Sequence, residues 1–147
     1  MSNIRQTILV REDLGFNVGL MAAQCSHIHM QLLRKAILEK EPVFEMAPQL
    51  DSGKFPVECE LSSDMIEWLH TPYVFIHGVP NKEVLTHFID KAKAAKIDVE
   101  TWSDCVFIDI SETQREAFPD ILVGASLGPT DSDKIKAIIG DLPLLSK

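Results

Sequence analysis

A chain of 147 residues with 46% hydrophobic side chains holds enough apolar surface for one domain with a single core, and not for two. Its net charge of −8 is uneven: residues 1–40 carry five Lys/Arg against three Asp/Glu, and residues 41–147 carry nine against nineteen. That balance excludes a broadly phosphate-attracting surface and confines any nucleic-acid contact to a narrow region. Cys25, Cys59 and Cys105 form no C-x-x-C pair and leave an odd count, as expected of free thiols in a reducing compartment. No signal-like apolar leader and no membrane-length run is visible, so the expectation is a cytoplasmic protein without a membrane partner.

Residues 4–11 have the β-branched enrichment of a short buried strand, and Leu14-Gly15-Phe16-Asn17 reads as a turn. From Val18 to Lys40, Met21, Cys25, Ile28, Leu32 and Ala36 recur at helical spacing. The apolar stripe they form leaves Gln24, His27, Gln31 and Arg34 on a polar, solvated face, and Pro42 ends the helix. Residues 41–60 mix Pro42, Pro48, Gly53 and Pro56 with acidic patches and read as an inserted loop. Ser62-Ser63-Asp64 caps a short helix through Trp68, and Tyr73-Val74-Phe75-Ile76 reads as a buried strand. A second long helix starts near Pro80-Asn81, with Val84, Phe88, Ala92 and Ala95 on its buried face.

Ile97–Trp102 and residues 105–110 read as two separate strands, and Ile121–Ala125 as a further central strand closing at Gly128-Pro129. Thr130 is expected to cap a last helix that buries Ile135, Ile138 and Ile139, with Gly140 ending it. The order β-α-α-β-α-β-β-α predicts an α/β fold: one domain over residues 1–147, with a mixed sheet of about four strands and helices on both faces.

Two segments carry a resemblance. Arg11-Glu12-Asp13-Leu14, followed after seven residues by Ala22-Ala23-Gln24-Cys25-Ser26-His27, resembles the strand-turn-helix signature of the second class of peptidyl-tRNA hydrolases. Asp109-Ile110-Ser111-Glu112-Thr113-Gln114 is similar to that family's D-A-G-R-T-Q, with Leu127-Gly128-Pro129 at the later strand-to-helix turn. The resemblance implies hydrolysis of the ester joining a peptide to the terminal ribose of tRNA. It implies Asp109 and Thr113 as catalytic residues organising the attacking water, assisted by His27, with Gln24 and Gln114 binding substrate. Asp104 is an alternative match for the family aspartate.

The lysines of the family's K-G-K element fall on Val18 and Leu20, around a retained Gly19, and its D-A-G-R glycine and arginine fall on Ser111 and Glu112. Two apolar side chains thus stand where a cation would hold phosphate or offset an oxyanion. The other function class compatible with this pattern is a non-catalytic domain whose pocket takes a small ligand or a protein partner. A general RNA-binding module is disfavoured by the charge and by the lack of an aromatic-basic surface.

Each of these residues also has a plainer reading. Gln24 and His27 suit a solvated helix face, and residues 109–114 suit an ordinary turn whose side chains bond local backbone. Cys25 and His29 share a helix face at i, i+4, but no second Cys/His cluster accompanies them, so no metal and no cofactor is expected. Arg34, Lys35 and Lys40 suit the negative end of a helix dipole. A homodimer is compatible with a domain this small.

Overall fold

The computed structural model describes residues 3–38, 60–111 and 114–145. The loop expected at 41–60 lies, apart from Glu60, outside the described residues, as do Lys40 and Thr113. The elements run β1 (Ile4–Arg11), α1 (Val18–Leu38), α2 (Ser63–His70), β2 (Val74–Val79), α3 (Lys82–Ala94), β3 (Val99–Ser111), β4 (Gln114–Asp131) and α4 (Ser132–Ile139), in the order the sequence predicts. The four strands form one mixed sheet, ordered β2-β1-β4-β3. β1 is parallel to β2 and antiparallel to β4, and β3 is antiparallel to β4.

β1 is buried without a break from Gln6 to Arg11 because both of its faces are covered. Ile8 and Val10 meet Phe16, Met21, Cys25 and Ile28 on the α1 side, while Leu9 meets Leu85 and Ile89 of α3 and Ile135 and Ile138 of α4. Leu32 of α1 joins Met65 and Trp68 of α2 in a third cluster. Gly124 of β4 lets α1 approach the sheet closely, since a Cβ there would collide with the Ile28 side chain and the Leu9 carbonyl. Among the described residues no helix is long and apolar enough to cross a membrane.

Several boundaries and faces depart from the expectations. The strands foreseen at 97–102 and 105–110 are one, β3, and the strand foreseen at 121–125 is the middle of the 18-residue β4. Register shifts at Trp102/Ser103 and Asp104/Val106 let this ladder pass residues that break the apolar alternation, and Pro119-Asp120 sits at the second shift. α3 is capped by Asn81, whose side chain accepts from Val84 N at 3.0 Å, and buries Leu85, Ile89 and Ala92, with Val84 and Phe88 flanking and Ala95 exposed at the C-cap.

Asp131 caps α4 in place of Thr130, which stays in the ladder opposite Arg5. α2 runs past Trp68 to His70. β2 is an edge strand rather than a buried one, with Tyr73 just before it and Val74 at its start both exposed. Lys35, expected to act only on the helix dipole, pairs with Glu100 of β3.

Candidate functional site

The turn from β1 into α1 is held by one side chain. The Arg11 guanidinium donates to both carboxylate oxygens of Asp13, at 2.9 and 2.7 Å, and to the Leu122 carbonyl at 2.9 Å, tying strand, turn and β4 together. That hydrogen bond is the main reason the Asp13 carboxyl titrates below its ordinary value. Gly15 takes the positive φ of +67° that the turn requires. Asn17 then caps α1: its side-chain oxygen accepts from Leu20 N at 2.9 Å and its carbonyl from Met21 N at 2.8 Å. Val18 and Leu20, in the first turn of α1, are 68% and 43% exposed, so the two positions flanking Gly19 present apolar groups to solvent.

α1 runs against the direction of β3, because Gln24 meets Asp104 while Lys35, further along the helix, meets Glu100. Gln24 does not lie on a solvated face as expected: it is buried, at 3% exposure. Its amide nitrogen donates to Asp104 Oδ2 at 2.8 Å, and its amide oxygen accepts from the Trp102 indole nitrogen at 2.8 Å. The Asp104 Oδ1 accepts from Cys105 N at 2.8 Å. His27, one helical turn on, is exposed and stacks on the Trp102 indole with ring centroids 4.9 Å apart and an interplanar angle of 25°. Gln24, His27, Trp102 and Asp104 therefore form one cluster between α1 and β3, with a partly exposed carboxylate that keeps lone pairs for a further donor.

The other motif lies further out. β4 pairs with β1 only as far as Gly124, so its residues 114–122 pair with β3 alone, as a two-stranded ribbon. The Asp109 backbone sits on this ribbon opposite Arg115, and the exposed Gln114 pairs with Ser111. Five strand positions separate Asp109 from Asp104, about 16 Å at the usual rise. The six helical residues from Gln24 back to Val18 cover only about 9 Å. The ribbon thus outruns the start of α1, and the Asp109 backbone lies beyond the cluster that holds Gln24, His27 and Asp104.

Trp102 is the member of the cluster to which the sequence pattern assigned no role. The available signal was its two-residue spacing from Asp104, which places both on one face of a strand. Asn17 was legible as a turn residue, and its position before the helical stripe marks a cap. Among the described residues no three His, Cys, Asp or Glu side chains converge as a metal site would require.

Compared with known protein families, the chain matches the model described as Peptidyl-tRNA hydrolase PTH2 over residues 4–145. No curated protein sequence matches it.

Proposed function

Because the chain belongs to the peptidyl-tRNA hydrolase PTH2 family, we propose that it hydrolyses the ester between an acyl or peptidyl group and the terminal ribose of tRNA, a cytoplasmic task, at the cluster between α1 and β3. The observation that carries this reading is the Gln24 side chain, which holds the Asp104 carboxylate and the Trp102 indole in one arrangement. Asp104 is proposed as the carboxylate that accepts a hydrogen bond from the attacking water and takes its proton as the carbonyl carbon is attacked. Gln24 is a positioning residue. His27, flat on Trp102 and open to solvent, is suited to stack on the terminal adenine or to protonate the departing ribose oxygen. Gln114, exposed on the ribbon, is proposed as a contact to the RNA further along it.

The developing oxyanion needs a donor, and Val18 and Leu20 supply none. Their segment offers only backbone N–H groups of the first turn of α1, at the positive end of a 21-residue helix. Slow turnover follows, since one preorganised donor is worth roughly a hundredfold or more in rate.

The test is single-turnover hydrolysis of an N-acetylaminoacyl-tRNA by the wild type and by Asp104→Asn, Asp109→Asn and Val18→Lys/Leu20→Lys. A slow wild-type rate, lowered about a hundredfold or more by Asp104→Asn and raised by the paired lysines, is the expected result. A wild type that stays inactive even with both lysines in place removes the hydrolase reading. In its place would stand a non-catalytic family member that binds a ligand or protein, a reading favoured by the exposure of Val18 and Leu20.

A further inference from the structure

The sheet order puts β3 at one edge and β2 at the other, and α1 has a second flank facing β2. Here a cavity of about 470 Å³ opens between Val18, Met21, Ala22 and Cys25 of α1, Ile76 of β2 and Leu145 near the C-terminus. Leu145 is fixed in that wall by a hydrogen bond from its N to the Ile76 carbonyl, at 2.8 Å. None of the described lining residues carries a carboxylate, ammonium or guanidinium, and Ser26 and His29 are the only hydroxyl and imidazole among them. Burial pushes the Cys25 thiol up, which keeps that wall uncharged as well.

His29 is held from behind by a fully buried amide. Its Nδ1 lies 2.6 Å from Gln6 Oε1, and Gln6 Nε2 donates to Ser126 Oγ at 2.8 Å and towards the His29 carbonyl at 3.4 Å. A carbonyl only accepts, so the Gln6 nitrogen faces it, the Gln6 oxygen faces the ring, and Nδ1 carries the hydrogen. The ring plane is set by an edge contact to Trp68, with centroids 5.7 Å apart at 62°. Nε2 is then the accepting nitrogen, and it has no hydrogen bond to any described residue. A buried glutamine in the middle of the sheet thus turns its oxygen to the ring, while its nitrogen is held by Ser126 and the His29 carbonyl. An apolar cavity with one oriented polar group is the usual make-up of a small-molecule site.

We propose that this cavity binds a neutral, mainly apolar small molecule through one hydroxyl or N–H donor directed to His29 Nε2. An ion would find no counter-charge there, and an apolar ligand without a donor would leave the nitrogen unpaired. The site lies on the opposite flank of α1 from Gln24 and Asp104, so it stands whether or not the chain cleaves peptidyl-tRNA.

The test uses three probes of one shape, 1-naphthol, 1-methoxynaphthalene and 1-naphthoate, titrated into the full chain and followed by amide chemical shifts. The expected result is saturable binding of 1-naphthol with shifts at Ala22, His29 and Ile76, the ether about tenfold weaker and the carboxylate weaker than the ether. Ala22→Phe, which fills the cavity from an exposed helix position, abolishes binding; Ser26→Phe is the second filling variant should the first not fold. No saturable binding by the wild type, an ether or carboxylate that binds as well as 1-naphthol, or undiminished binding by a folded filling variant would each overturn the proposal. Peptidyl-tRNA turnover plays no part in the readout, so a failed hydrolase assay leaves this outcome legible.

Discussion

Gln24 satisfies two partners that have no other described source of the same bond. Replacing it with Leu leaves the Trp102 indole N–H and one Asp104 oxygen to be paired by whatever water reaches them between α1 and β3. The expected cost is about 2 kcal/mol of stability, read as a lower urea midpoint at an unchanged slope, together with loss of the His27–Trp102 stacking signature in the near-ultraviolet circular dichroism. A midpoint within error of the wild type would mean that the amide is not the strut between α1 and β3. The motif spacing pointed to Gln24 and His27 as members of a site, and Asp104 stood beside Asp109 as a match for the aspartate. Helical periodicity put Gln24 on a solvated face because its two partners lie 78 and 80 residues away. No local pattern encodes a contact of that range; only the two-residue spacing of Trp102 from Asp104 marks the strand face that Gln24 meets.

The Arg11–Asp13 pair does at the level of elements what Gln24 does within the site, joining β1, the turn and β4. Asp13 titrates below its ordinary 3.8 when folded, chiefly through the hydrogen bond from Arg11. A carboxylate whose value is lowered by folding contributes stability that is fully present above the unfolded value and is lost as pH falls through the folded one. Denaturation midpoints measured from pH 6 down to pH 2.5 are therefore expected to fall more steeply for the wild type than for Asp13→Asn, with the two curves converging at the acid end. Parallel curves would show that the pair adds nothing beyond solvent-screened contact, which its partial exposure makes the alternative.

Element order was legible because each helix carries its own stripe and caps. The extent of β3 and β4 was not, since Ser103, Asp104, Pro119 and Asp120 interrupt the apolar alternation at the positions where register shifts absorb them. A sequence pattern registers the interruption and has no access to the partner strand that bridges it.

Over the whole molecule, charge decides how an RNA substrate can approach. Residues 41–147 carry an excess of ten acidic side chains and residues 1–40 an excess of two basic ones, so a tRNA is repelled by most of the surface and admitted, if anywhere, along the N-terminal segment. Of the five basic residues there, Arg11 is committed to Asp13 and Lys35 to Glu100, which leaves little for phosphate. Binding of deacylated tRNA by the wild type should accordingly be weak and should respond shallowly to salt, because few counterions are released. Val18→Lys/Leu20→Lys places two cations at exposed positions in the first turn of α1. If the RNA passes there, the variant binds more tightly at low salt, and the slope of log affinity against log salt steepens by roughly one to two, the increment expected for two added phosphate contacts. Filter-binding or fluorescence titrations at several salt concentrations measure that slope. An affinity and a slope both unchanged by the two cations would move the RNA path away from the start of α1 and, with it, away from the Asp104 cluster.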